Sequence, residues 1–153
     1  MRYWLMKSEP SEASIDDLAQ APHQTLPWTG VRSYQARNFM RDLMKTGDGV
    51  FFYHSSCPRP GIAGVAQIAG GSAADETQFD PSSPYHDPKS PQDQPRWLKV
   101  DVRLVRKTRL LGLAEMRLAP PLADLQVLQR GNRLSITPVT APQWQAVQAL
   151  LGR

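Results

Sequence analysis

The β-rich runs of this chain are short, and the segments between them are not regular helices of crossover length. Parallel neighbours in a sheet need a connection of a dozen or more residues, usually a helix. Short strands separated by irregular stretches therefore argue against a doubly wound parallel sheet. They point to an α+β fold, with a small, mainly antiparallel sheet or partial barrel flanked by helices. At 153 residues the chain suits one domain, residues 1–153, with a real core.

Tyr3-Trp4-Leu5-Met6 reads as the first strand. Ser14 is placed to cap a helix with Asp16 and Asp17 in its first turn, where acids suit the helix dipole. Pro22 to Gly30 reads as a loop. Ser33 caps a second helix, in which Ala36, Phe39, Met40, Leu43 and Met44 follow helical spacing until Gly47. Val50 to His54 is a strand, Cys57 to Gly61 a hairpin loop, and Ile62 to Ile68 the returning strand, whose glycine and alanines suggest close packing or a bulge. Prolines at 81, 84, 88, 91 and 95 mark a connection too long to be idle. Arg96 to Arg109 is the clearest strand, with Leu98, Val100, Val102 and Leu104 on one face and Trp97, Lys99, Asp101 and Arg103 on the other. Residues 113–128 look helical but broken at Pro120-Pro121, and Leu134 to Thr137 is a strand. Thr140 and Gln143 form a capping-box pattern for a last helix lined by Trp144, Val147, Leu150 and Leu151.

Composition removes several classes of function. No apolar run reaches about 18 residues, so no membrane span is expected. Charge at Arg2 and Lys7 comes too early for a signal peptide. Cys57 is the only cysteine, which excludes an intrachain disulfide or thiolate zinc cluster and makes a reducing cytosol, hence a cytoplasmic location, the simplest setting. No P-loop, dinucleotide fingerprint or metal spacing occurs, so no cofactor and no metal are expected. Net charge is +4, unevenly spread. Residues 1–90 hold eight Lys/Arg against ten Asp/Glu, and residues 91–153 hold ten against four. A basic second half suits a polyanion, DNA or RNA, although a solvated basic surface explains it too. No apolar surface stripe is left over, so a monomer is the default.

Aromatic, amide and basic side chains gather in the loops. Trp28 lies in a Pro/Gly-flanked loop, Tyr85 in the proline-rich connection, and Trp97 at the start of the long strand. Such rings can stack a splayed-out base, worth about 1–3 kcal/mol, whereas Trp4 and Trp144 belong to the core. Arg32, Ser33, Tyr34, Arg37 and Asn38 surround a helix N-terminus, and Arg130, Asn132 and Arg133 form a second basic turn. Lys7 and Ser8 end the first strand; Tyr53, His54 and Ser55 end the strand at 50–54. His54 and Ser55 are adjacent on a strand, point to opposite faces, and so do not form a catalytic dyad by proximity.

The runs Tyr3 to Pro10, Trp28 to Asn38, Phe52 to Ser55, Pro60 to Gly64, Asp87-Pro88-Lys89, Arg96-Trp97 with Val100-Asp101-Val102, and Gln129 to Ser135 resemble the EVE domain, in the family's order and over nearly the whole chain. The resemblance implies a PUA-like fold, a small and mainly antiparallel β-barrel with peripheral helices. It also implies kinship with YTH domains, which hold a methylated adenine in an aromatic cage. Lys7-Ser8 and Trp28 look like that cage's strand-end pair and tryptophan, and Tyr85 and Trp97 are the candidates for its second aromatic.

The expected function is a non-catalytic reader. Trp28 stacks a flipped and modified base, and Ser8, Asn38, His54 or Ser55 hydrogen-bonds its edge. Lys7, Arg32, Arg37, Arg130 and Arg133 hold phosphates, with Asn132 at the rim. Ser33, Tyr34 and Tyr53 complete the candidate pocket. One rival is a hydrolase acting on a modified nucleoside or base, as in ASCH relatives, with Lys7 and Glu9 in acid–base roles. The other is a module whose groove takes a peptide.

Overall fold

Val50-Phe51-Phe52-Tyr53 shows no polar alternation, so a strand built from it must bury both faces. It does so in the computed structural model, which describes residues 1–152. There β3 (Gly49–His54) lies inside a six-stranded sheet, with Val50 and Phe52 in one hydrophobic core and Phe51 and Tyr53 in a second. Its neighbours are β1 (Tyr3–Ser8), paired parallel to it, and β4 (Gly61–Ala74), paired antiparallel. The sheet continues from β4 to β5 (Leu98–Gly112) and β2 (Thr25–Pro27), and on the other side from β1 to β6 (Ile136–Val139). Every pairing except β1 with β3 is antiparallel.

The expected mainly antiparallel, PUA-like α+β arrangement is present, but the ladder is open. β2 and β6 are its two edges. The end of β1, part of β2 and Ser135, just before β6, line one cleft on the side where the barrel is not closed by hydrogen bonds.

The helices cover the two faces. Ser14 caps α1 (Ile15–Gln20) as expected, and the cap is a full capping box, in which Ser14 Oγ accepts from Asp17 N–H and Asp17 accepts from Ser14 N–H. Ile15 packs onto Gly64 of β4, where a Cβ would run into the Ile15 side chain; the glycine lets the helix reach the sheet. Ser33 caps α2 (Tyr34–Asn38), whose last turn widens to π-helical over Phe39–Leu43 and closes with Met44 N–H donating to the Phe39 carbonyl. α3 (Leu113–Arg117) and α4 (Ala141–Leu151) cover the second core, and the capping box at Thr140 and Gln143 is formed.

Several boundaries differ from the sequence expectation. The segment 22–30 contains β2, because Thr25 to Pro27 find partners at Asp101 to Arg103. β4 runs on to Ala74, following β5 through repeated register shifts that bend both strands. The last strand begins at Ile136 rather than Leu134, because Asn132 Oδ1 holds the Leu134 N–H in a turn. β5 runs from Leu98 to Gly112 rather than from Arg96 to Arg109, so Trp97 lies just before it, and is buried.

Candidate nucleic-acid interface

β1 leaves the sheet at Ser8, where the parallel pairing with β3 ends at His54. Both strand ends therefore open onto the same place. A cleft of about 540 Å³ lies there, within the size range of small-molecule sites. Lys7, Ser8, Glu9, Glu12 and Ala13 line it, as do Leu26 to Val31 and Tyr85. Ser55, Ser56, Arg133 and Ser135 complete it. Ser56 has φ 53°, a left-handed conformation uncommon for a serine.

The walls are held by specific contacts. Trp28 is only 8% exposed, sits edge-on to Phe52 at 5.3 Å, and its backbone N–H donates to the Val100 carbonyl. Ser8 Oγ donates to the Ala13 carbonyl at 2.7 Å, so it meets the cleft as an acceptor. Partial burial holds the Lys7 ammonium below the ordinary lysine range. The Tyr85 ring lies on Gly30, whose φ of +84° and missing side chain leave room for it; a Cβ there would come within 2.8 Å of the ring. Tyr85 O–H donates to the Glu12 carboxylate at 2.6 Å. Burial first, and Glu12 second, push the Tyr85 hydroxyl up to about 12, so it stays a donor at neutral pH.

Of the residues singled out in the sequence, Lys7, Ser8, Glu9, Trp28, Ser55, Tyr85 and Arg133 come together at this cleft. The others do not line it. Arg32 is occupied, donating to Asp75 at 3.0 Å, to Thr77, and to the Tyr85 carbonyl at 2.8 Å. Arg37 donates to the Arg96 carbonyl and to Asn38 Oδ1, which occupies the Asn38 carbonyl. Ser33 is a helix cap, and Tyr34 stacks on Trp97 at 4.9 Å. Trp97 is buried with its Nε1–H donated to Asp87 at 2.7 Å, so its ring does not face the cleft. Tyr53 points into the second core. His54 Nε2 accepts the Ile15 N–H at 3.1 Å, so the imidazole anchors α1 and cannot serve a neighbouring serine as base. Asn132 closes the turn before β6, and Arg130 is exposed in that turn.

Arg32, Arg37, Tyr34 and Trp97 form the support for Tyr85. Arg37 lies over Tyr34, Tyr34 stacks on Trp97, and Arg32 lies against both the Trp97 and Tyr85 rings at 5.4 and 5.6 Å. Asp75 is the hub beneath them, accepting from Gly30 N–H, Arg32 and Thr77. Burial alone pushes the Asp75 carboxyl up, and these hydrogen bonds outweigh it, so its pKa is lowered. Glu12, Ala13, Leu26, Pro27, Thr29, Gly30, Val31 and Ser135 line the cleft without having stood out in the sequence as site residues. Only Pro27 and Gly30, which flank the Trp28 loop, carried a local signal.

Among the described residues no group of three or more His, Cys, Asp or Glu side chains could hold a metal ion, and no helix is long and apolar enough to cross a membrane.

The model of the EVE domain matches residues 2–150. The chain belongs to the EVE domain family. Thymocyte nuclear protein 1 of Homo sapiens is 43% identical to this EVE domain over 166 residues, 97% of this chain and 73% of that protein. The crystal structure of human THYN1 in complex with 5-methylcytosine-containing DNA matches it with a TM-score of 0.92 at 42% identity, covering 100% of this chain and 99% of that one. A crystal structure of a Pseudomonas syringae protein matches with a TM-score of 0.92 at 48% identity, covering 97% and 98%. An ASCH protein from Zymomonas mobilis matches at 0.57 with 11% identity, which shows a shared fold alone. The names of the human, mouse and zebrafish relatives point to the nucleus and overturn the cytoplasmic expectation. The inference failed because a single cysteine selects a reducing compartment, and the nucleus and cytosol are both reducing.

Proposed function

We propose that this EVE domain is a non-catalytic nucleic-acid-binding module that takes a modified base, 5-methylcytosine in DNA first among the candidates, into the cleft between Trp28 and Tyr85. The observation that carries the reading is the cleft itself, with two aromatic rings, hydroxyl groups and two cations converging where the barrel is open. The complex of human THYN1 with 5-methylcytosine-containing DNA supports the ligand class. Trp28 and Tyr85 are the walls between which the base stacks. Ser8 and Ser55 meet its polar edge, while Lys7, Arg133 and Arg130 take the phosphates. Arg32, Arg37, Tyr34 and Trp97 act one step back, by holding Tyr85. In this reading one domain acts as a monomer.

A titration of intrinsic tryptophan fluorescence tests this. The ligands are matched oligonucleotides with one central cytosine, 5-methylcytosine or 5-hydroxymethylcytosine, at low and moderate salt. Tighter quenching by one modified oligonucleotide is expected. A methyl in a pocket is worth about 1–3 kcal/mol, so the preference should be roughly tenfold to a hundredfold. Equal affinity for all of them would leave a general nucleic-acid binder and overturn the reader.

A further inference from the structure

The cleft is unusual for a nucleic-acid site in carrying two carboxylates, Glu9 and Glu12, beside its cations. Phosphates would repel them, so their presence needs another reason. Glu12 is not loosely placed. Both of its oxygens lie 2.6 Å from the Tyr85 hydroxyl, across 73 residues of sequence. Tyr85 is in turn fixed through its carbonyl by Arg32 and through its ring by Gly30. A carboxylate has about four acceptor positions, so Glu12 retains acceptor capacity after binding one hydroxyl. Ser8 adds to this bias, since its proton is committed to the Ala13 carbonyl. Of the polar side chains that the segment from Lys7 to Ala13 lends to the cleft, Ser8, Glu9 and Glu12 are acceptors and Lys7 is the donor.

The chemistry that fits is a base edge with an exocyclic amine next to a ring acceptor. Carboxylates accept from the N4 amine of cytosine, and an amide-type edge with a keto oxygen at that position would meet like charge. We propose that Glu12, aimed by the Tyr85 hydroxyl, accepts the exocyclic amine of the bound base and makes the cleft select amino-bearing over keto-bearing bases. This rests on the reading of the cleft as a base pocket.

The test compares single-stranded oligonucleotides with one central 5-methylcytosine, thymine or abasic position. Thymine carries the same methyl group, so the first two differ only at the amine and the adjoining ring proton. The wild-type protein should bind the 5-methylcytosine strand roughly tenfold more tightly than the thymine strand, within the range of one good base-edge contact. Glu12→Gln offers an amide that can donate to the keto oxygen, and the ratio should fall toward one or invert. Tyr85→Phe keeps the ring but frees Glu12, and should lower the ratio part of the way. A thermal melt of each variant checks that it is folded, and either variant alone suffices if the other is not. Equal binding of 5-methylcytosine and thymine by wild type, both tighter than the abasic strand, would overturn the inference and leave the pocket standing. So would a full 5-methylcytosine preference in folded Glu12→Gln. No difference from the abasic strand would remove the base pocket itself, and the inference with it.

Discussion

Arg32 illustrates at the residue scale how a functional-looking side chain is diverted. In the sequence it was grouped with the phosphate-binding arginines. In the fold it satisfies Asp75, whose side chain is fully buried, and clamps the Tyr85 carbonyl. Truncating one partner of a buried pair leaves the other charge uncompensated. Arg32→Ala should therefore lower stability by about 3 kcal/mol in urea unfolding. Arg32→Lys should recover little of it, since a lysine cannot span three acceptors with a planar fork. Trp28 needs similar care. It is part of the first core, so Trp28→Ala should cost about 3–5 kcal/mol, and Trp28→Leu is the better probe because it removes the aromatic face while keeping bulk. Folded Trp28→Leu should lose the preference for a modified base; retention of that preference would remove Trp28 from the site. The choice between Tyr85 and Trp97 as second aromatic was open in the sequence, since both precede or occupy loops. Burial of Trp97 and its bond to Asp87 keep that ring out of the cleft, which Tyr85 lines.

Among the elements, α1 depends most on a single distant group. Its first N–H is held by the neutral nitrogen of His54 on β3. Burial is the main cause of a lowered His54 pKa, with Asp16 raising it and Lys107 lowering it by smaller amounts. A histidine depressed in the folded state is more easily protonated in the unfolded chain. Its contribution is therefore complete above the ordinary value of about 6.5 and is lost as pH falls through the lower folded value. Urea midpoints measured from pH 7.5 downward should show a loss beginning near pH 6.5, above the range of the carboxylates, and His54→Gln should lack that step. A step of the same size in the variant would exclude His54 as its source. The element boundaries follow the same division between near and far. The caps at Ser14, Ser33 and Thr140 were legible because a cap is a contact across three residues. β2 was not, because three residues ending in proline make a strand only when β5 lies beside them.

For the whole molecule, net charge is a poor guide to where a polyanion would bind. The second half is the more basic, yet on β5 Lys99 and Lys107 pair with Asp101 and Asp16, and Arg109 pairs with Glu115. Arg130 and Arg133 are exposed in the turn beside the cleft. On single-stranded DNA, Arg130→Ala and Arg133→Ala should each reduce the slope of log affinity against log salt by roughly 0.7. Arg37→Ala should leave the slope unchanged, because that guanidinium is held by the Arg96 carbonyl and Asn38. An unchanged slope in the first two would move the phosphate path elsewhere. What the sequence determined by itself was everything written in short range: the alternation of strand faces, the caps, the absence of metal and nucleotide patterns, and the family's ordered motifs. Only the tertiary structure decided which loop residues meet. Glu12 and Tyr85 are 73 residues apart, and Arg32 and Asp75 are 43 apart. Contacts of that separation leave no periodic trace in a chain. They depend on where the strands β1, β3, β4 and β5 end in space, which is set by the bends and pairings of the sheet.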